Sequence, residues 1–207
     1  MPYYTTGRQT ASAGTEITTI APAVAGHIPV LRGLSYTAGA TEHNAYVMSC
    51  RGVTTVAEFA AAGDTTIELA KADPGTTTAG EFETLAASDW IAYETRYGDI
   101  EIREVSSISG SVVTVAATTR MVDIGARVWA FYELGGLNSV QIPLKASTQV
   151  DFDNLMIQGG VHRQQGKEHS KTGVNMPLLV AVDNATNAGV LNYTSFEWID
   201  ASNEYYS

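Results

Sequence analysis

The sequence predicts an all-β protein: a β-sandwich built from both chain ends, with an inserted small β-barrel, plus an extended N-terminal arm. Three observations carry this expectation. The 207 residues include 24 threonines and 19 glycines but only four lysines. β-Branched residues favour pleated strands, and no long run of Leu, Glu and Lys offers a helix. Short apolar segments with period-two alternation are cut at regular spacing by Gly-, Pro- and Asn-containing turns. Charge is also uneven. Residues 59–134 hold five basic and 12 acidic side chains, residues 1–58 hold three of each, and residues 135–207 hold four against seven. The acidic middle reads as a solvated module and the flanks as the part that packs. One continuous, elongated β domain is the alternative.

Residues 1–27 show no sustained period and few large apolar side chains. Such a segment cannot make its own core, so it reads as an arm that orders on another surface, either this domain or a neighbouring subunit, with a free tail as the alternative. From Ile28 the pattern tightens: Ile28–Leu34, Ala45–Cys50 and Val53–Phe59, separated by Gly39, Asn44 and Gly52, read as short strands of one sheet. Residues 28–61 with 135–207 form the expected sandwich base, and residues 62–134 the expected barrel. Within the barrel, Asp89–Thr95 alternates, with Trp90, Ala92 and Glu94 on one face and Ile91 and Tyr93 on the other. Tyr97-Gly98-Asp99 then turns into Ile100, Ile102 and Val105, and Ser109-Gly110-Ser111 turns into Val112–Ala116. After Gly125, Val128, Ala130 and Tyr132 oppose Trp129 and Phe131. Beyond Gly135-Gly136 the strands resume at Ser139–Leu144, Gln149–Gln158, Pro177–Val182 and Gly189–Asp200, with a polar stretch at 159–173. The last run alternates Val190, Asn192, Thr194, Phe196 and Trp198 against Leu191, Tyr193, Ser195, Glu197 and Ile199. With Asp183-Asn184-Ala185-Thr186-Asn187 as a loop, it predicts an antiparallel hairpin over 178–200.

Composition excludes several function classes. The formal net charge of -10 and pI near 4.7 oppose tight contact with phosphate backbones, so no nucleic acid is expected as a partner. No apolar run approaches the roughly 20 residues of a membrane helix, so no membrane is expected either. The first ten residues lack the apolar core of a signal peptide, and Cys50, the single cysteine, has no partner for an internal disulfide.

No enzyme is expected, and no catalytic, cofactor-binding or metal-binding residue is expected. Gly33-Leu34-Ser35-Tyr36-Thr37 approaches the G-x-S-x-G elbow but lacks its second glycine and reads as a strand. Lys171-Thr172-Gly173 has no companion Ser-x-x-Lys, and neither a dinucleotide fingerprint nor a phosphate loop occurs. His162, Glu168 and His169 match neither helical metal spacing. With Arg163, Lys167 and Lys171 they make one locally basic stretch, which could meet an acidic protein surface or be an ordinary loop. Asp151 and Asp153 share a strand face without the rest of a calcium loop. Nothing separates the acidities of Glu81 and Glu83, or of Glu101 and Glu104, as acid–base work requires. Cys50 reads as buried, His27 and His43 read as structural or exposed, and the strand aromatics Trp90, Tyr93, Trp129, Phe131, Tyr132, Phe196 and Trp198 read first as core and second as a carbohydrate platform. The sequons at Asn184 and Asn192 read as chance.

Three stretches go further than composition: Ala-Ser-Asp-Trp-Ile-Ala-Tyr-Glu at 87–94, Glu-Val-Ser-Ser-Ile-Ser-Gly-Ser-Val-Val-Thr-Val at 104–115, and Gly-Ala-Arg-Val-Trp-Ala-Phe-Tyr at 125–132. Together they resemble the small β-barrels of tailed-bacteriophage virion proteins, specifically head decoration (cement) and tail proteins, over roughly residues 62–134. The resemblance implies a structural protein on the outer capsid surface of the virion, made in the host cytoplasm. It also implies binding to the major capsid protein and to itself, as a homo-oligomer that in this family is often a trimer, and no cofactor. No functional residue carries over. A tail or head–tail component and a carbohydrate- or receptor-binding module are the competing readings.

Overall fold

The structure, a computed structural model, describes residues 3–5, 9–11, 16–70, 85–131, 133–134, 139–144, 146–147, 149–158, 176–183 and 189–200. Its strands are β1 (Tyr3–Thr5), β2 (Gln9–Ala11), β3 (Ile17–Ala21), β4 (His27–Thr37), β5 (His43–Thr55), β6 (Thr66–Glu68) and β7 (Trp90–Glu94). There follow β8 (Ile100–Ser109), β9 (Val112–Val115), β10 (Arg127–Phe131), β11 (Ser139–Leu144), β12 (Gln149–Gln158), β13 (Leu178–Val182) and β14 (Gly189–Asp200). The protein is all-β, and the chain divides into two compact units: Met1–Ser49 with Gly135–Ser207, and Cys50–Leu134.

The first unit is a two-sheet sandwich. In one sheet β14 is flanked by β4 on one side and by β1 and β2 on the other, and β4 in turn pairs with β12. In the second, β13 lies between β3 and the first half of β5, which also pairs with β11. Every pairing is antiparallel. With β1 and β2 counted as one interrupted strand, the sheets read first–eighth–third–sixth and second–seventh–fourth–fifth, and the chain changes sheet at most of its connections. That order is a jelly roll. The core lies between the sheets: Leu31, Leu34, Tyr36, Leu191, Phe196 and Trp198 from one, and Ala45, Val47, Ile142, Leu144, Leu178, Val180 and Val182 from the other.

Part of the segment expected as an arm belongs to this sandwich. β3 pairs residue for residue with β13, Ala21 is fully buried, Val24 packs against the core, and the Trp198 indole donates to the Pro22 carbonyl at 2.9 Å. The predicted 178–200 hairpin is not formed. β13 and β14 lie in different sheets, each as a central strand. The strict alternation predicted for β14 also fails. The register shift at Leu191/Tyr193 sets one extra residue, Asn192, into β14 and exchanges its faces once, so that Leu191, Phe196 and Trp198 share the core; the shift at Ser195/Phe196 sets an extra residue, Arg32, into β4 and does the same for Leu34 and Leu31. Nor are Ala45–Cys50 and Val53–Phe59 separate strands beside Ile28–Leu34. Gly52 sits inside β5 at a bulge opposite Ala130 and Phe131, and β4 lies in the other sheet.

One tight contact in the sandwich gives a stability test. Tyr36 is fully buried, its hydroxyl and the buried His43 Nε2 have no hydrogen-bond partner among the described residues, and the two rings meet edge to face at 5.7 Å. Burial, and secondarily the Asp183 carboxylate, pushes the Tyr36 phenol above its ordinary pKa range. A β-carbon on Gly189 would fall 1.8 Å from this hydroxyl and 2.5 Å from the ring carbon that bears it. Gly189→Ala is therefore expected to lower the unfolding free energy by about 1–3 kcal/mol, the cost of overpacking a rigid neighbour. Tyr36→Phe, which removes an orphaned hydroxyl, is expected to raise it by about 1 kcal/mol. Urea unfolding of both variants checks the opposite signs.

The second unit is a small barrel. Its strands run in the order β5 (from Cys50), β10, β7, β8, β9, β6, all antiparallel. The circle closes where Ala57 N–H donates to the Glu68 carbonyl at 2.7 Å and Ala70 N–H to the Thr55 carbonyl at 2.8 Å, across a Val56–Leu69 bridge. β8 serves two neighbours: 100–104 pair with β7 and the remainder with β9, across a register shift between Val105 and Ser107. Alternate residues point inward, as closure requires. Ile91, Tyr93, Val113, Val115, Val128 and Ala130 fill the interior with Ile67, Leu69 and Val105. The turns at Tyr97-Gly98-Asp99 and Ser109-Gly110-Ser111 fall where the sequence placed them, with Gly98 (φ 85) and Gly110 (φ 60) in the left-handed region that glycine favours.

Candidate functional site

Antiparallel order places three loops at one end of the barrel: 56–65 after β5, 95–99 after β7 and 116–126 after β9. The chain enters at Cys50 and leaves after Phe131 at the other end, as the Phe131–Cys50 pairing shows. The loops are tied to one another through the backbone. Ala60 and Val122 exchange hydrogen bonds at 3.1 and 2.9 Å, Arg96 N–H donates to the Met121 carbonyl at 2.9 Å, and Gly63 N–H and Thr118 N–H bond across to Thr118 and Asp64 carbonyls at 2.8 and 2.9 Å.

This end carries a mosaic of aromatic, basic and acidic side chains. The Arg96 guanidinium lies 5.4 Å from the centre of the Phe59 ring and donates to Asp123 from Nε at 3.0 Å and from Nη2 at 2.6 Å. Arg120 lies 5.4 Å from the centre of the Tyr97 ring and 3.9 Å from Asp99 Oδ2. Arg127, first in β10, stands over Trp129 and donates to Glu94 at 2.5 Å. Hydrogen bonding to Arg96 holds the Asp123 carboxyl below its ordinary range, and the Thr95 hydroxyl does the same chiefly for Asp99. Among the described residues four large apolar side chains are exposed: Val53, Phe59 (46%), Tyr97 (62%) and Ile124 (68%). Three of the four stand here.

A buried carboxylate supports these loops. Glu101, on β8, is 7% exposed. It accepts from the Tyr93 hydroxyl at 2.9 Å, from Arg103 Nη2 at 3.0 Å, from the Thr119 N–H at 3.1 Å and from the Thr119 hydroxyl. Thr119 belongs to the 116–126 loop, so Glu101 pins that loop to the barrel wall. Burial alone would raise the Glu101 pKa, but the Thr119, Tyr93 and Arg103 donors outweigh it and hold the carboxyl below its ordinary range. Tyr93 is driven upward, by burial first and then by its bond to Glu101.

Few residues singled out from sequence gather here. Cys50 is buried, with its thiol donating to the Gly52 carbonyl at 3.1 Å. Gly33–Thr37 is part of β4, and His27 Nδ1 lies 2.7 Å from the Ala25 carbonyl. Asp151 and Asp153 lie on β12. Asn192 is half-buried and donates to the Ser35 and Thr37 hydroxyls at 3.2 and 3.0 Å. Trp90, Tyr93, Trp129, Phe131, Phe196 and Trp198 are buried. Glu81, Glu83, His162, Arg163, Lys167, Glu168, His169, Lys171 and Asn184 lie outside the described residues, among which no group of three or more metal-ligating side chains occurs. The mosaic itself escaped sequence reasoning. Its signal was the placement of large apolar residues in turn segments: Phe59 before Ala60-Ala61-Ala62-Gly63, Tyr97 before Gly98 and Ile124 before Gly125.

No protein-family model matches the chain, and no curated protein does. Among solved structures, that of infectious bursal disease virus, Gx strain, is 13% identical with a TM-score of 0.13, over 95% of this chain and 42% of that one. The VP2 subviral particle of the same virus is 14% identical with a TM-score of 0.12, over 96% and 41%. A mutant VP2 in derived particles gives 14% and 0.14, over 96% and 40%. The chain thus spans about two fifths of the length of these structures.

Proposed function

We propose that this chain is a structural protein of a virus particle, a capsid decoration or cement protein that binds the assembled head and stabilises it. The observation that carries the reading is architectural: a jelly roll assembled from both chain ends, with a separately cored barrel inserted between β5 and β11. Jelly rolls recur in shell-forming proteins, though also in lectins and cupins, so the fold narrows the reading and the sequence resemblance directs it. The partners are the major capsid protein and further copies of this chain, the place is the outer surface of the virion, and synthesis is in the host cytoplasm. Among the described residues β1 and β2 each pair only with β14. Strands held on one side are suited to backbone pairing with a neighbouring subunit.

The stabilisation is mass action. A protein that binds the assembled lattice and not its free subunits shifts the equilibrium toward the lattice, by RT ln(1 + [L]/Kd) per site. Quantitative mass spectrometry of purified particles is expected to give hundreds of copies relative to the major capsid protein. Shells stripped of the protein are expected to break at lower temperature and to recover on its return. A few tens of copies remaining with isolated tails would replace this reading by a tail or head–tail component.

A carbohydrate- or receptor-binding module draws on the barrel end, where Phe59 and Tyr97 are exposed beside Asp123 and Asp99. Each ring, however, already has a guanidinium over one face, which takes a face that a sugar would stack on.

A further inference from the structure

We propose that the loop end of the barrel is a docking surface for a basic, apolar segment of another protein, one in which lysine or arginine alternates with large apolar residues. The inference concerns the barrel alone and goes beyond the virion reading.

The surface is marked by where apolar area is left uncovered. Phe59, Tyr97 and Ile124 are exposed on three loops that share one end, and apolar side chains gathered within a polar rim mark an interaction surface. The end is also already ordered. Arg96 is held by Asp123 and Phe59, and the loops are bonded to one another, so little conformational freedom is lost on association.

Charge selects the partner. Loops 56–65, 95–99 and 116–126 carry Glu58, Asp64, Asp99 and Asp123 against Arg96 and Arg120, net -2. Both arginines are already matched, Arg96 with Asp123 at 2.6 Å and Arg120 with Asp99 at 3.9 Å. The surplus therefore sits on loop 56–65, the loop that presents Phe59. Glu58 and Asp64 are exposed, and neither makes an ion pair among the described residues. The rest of the barrel repeats the pattern. Arg103 and Arg127 are paired with Glu101 and Glu94, and residues 50–134 hold six basic and thirteen acidic side chains, net -7. An acidic protein, a nucleic acid or the same end of a second copy meets like charge here, with no arginine of these loops left over to answer it. A basic segment is the complement. Its lysine and arginine stems lie along Tyr97, Phe59 and Ile124 while their charged heads reach Glu58 and Asp64, and the field of the acidic unit draws it in.

Amide NMR of the full chain, titrated with the synthetic peptide Gly-Ser-Lys-Leu-Arg-Phe-Lys-Leu-Arg-Gly-Ser up to about 1 mM, tests this, since weak contacts fall in that range. Shifts concentrated in 56–65, 95–99 and 116–126, and binding that weakens with salt, are expected. Tyr97→Ser and Ile124→Ser should each weaken binding by roughly tenfold, as loss of a central apolar contact does. Glu58→Lys should weaken it by roughly tenfold through like-charge contact. Glu104→Lys, at an exposed carboxylate where β8 pairs with Trp90, toward the other end of the barrel, should leave it within a few fold. All four side chains are exposed, and unchanged urea midpoints would show that the variants fold. No shift at about 1 mM, shifts centred elsewhere, equal binding of a peptide with glutamate in place of lysine and arginine, or equal losses in Glu58→Lys and Glu104→Lys would each overturn the proposal. Loop shifts that follow protein concentration without peptide would give the surface to a second copy, and shifts with maltohexaose in place of peptide would give it to a carbohydrate; either result also overturns it.

Discussion

Glu101→Ala is expected to lower the unfolding free energy of the barrel by about 3–5 kcal/mol, the range for breaking a buried ion pair by removing one partner. The size follows from what the carboxylate leaves behind. Arg103, 21% exposed, loses its charged acceptor, the buried Tyr93 hydroxyl loses its hydrogen-bond partner, and both Thr119 donors are released with their loop. Set against the roughly 5–15 kcal/mol of a whole domain, that loss leaves the barrel marginal. Glu101→Gln keeps the shape and an acceptor oxygen but not the charge, and should cost less, about 1.5–3 kcal/mol. Acid separates the two effects. The folded pKa of Glu101 is lowered, so its contribution is complete above the unfolded value, about 4.3, and is lost as pH falls below that value through the folded one. The parent should therefore lose stability over this acid range, and Glu101→Gln should lose less. Urea unfolding followed by the fluorescence of Trp90 and Trp129, at pH 7 and near pH 3.5, reads both. An acid limb of equal slope in parent and Gln variant would show that Glu101 does not carry the dependence.

What was legible in the sequence was local. The barrel turns at Gly98 and Gly110 could be read because a left-handed backbone leaves a glycine in a short polar interval. The division of β7 and β10 into two faces could be read because successive side chains of a strand alternate; which face fills the barrel could not, because Trp90, Ala92, Trp129 and Phe131 on the other face are apolar and buried too. What was not legible depends on pairing between distant segments. β13 and β14 are adjacent in sequence and both strongly apolar, the pattern of a hairpin, yet each pairs with strands more than a hundred residues away. A two-sheet fold separates such neighbours whenever both are needed as central strands. The bulges in β14 and β5 likewise change which face is buried without leaving a turn signature. The loop-end mosaic was hidden for the same reason: Phe59, Arg96 and Asp123 lie far apart in sequence and meet only when the barrel closes.

Joining Ser49 directly to Gly135 is expected to give a folded jelly roll in spite of the loss of the whole Cys50–Leu134 segment. The register supplies the reason. Met48 pairs with Ser139, and the pairing runs on to His43 with Leu144, so after excision Ser49 and Gly135-Gly136-Leu137-Asn138 form a five-residue connection between two strands that are already partners. Hairpin loops commonly hold two to five residues, and Gly, Asn and Ser are the residues that turns favour. The cores make the same statement. Every residue of the sandwich cluster lies in 1–49 or 135–207, and every residue of the barrel cluster lies in 56–130. Each cluster is therefore drawn from the residues of one unit, and the Cys50–Leu134 piece should fold by itself. Dispersed amide spectra and a single cooperative unfolding transition, reported by Trp198 in the sandwich and by Trp90 and Trp129 in the barrel, are the expected results. Collapsed dispersion in the excised sandwich would mean that the two units form one folding domain. It would also remove the architectural basis for the shell-binding reading, in which the sandwich holds its fold whatever the inserted barrel carries.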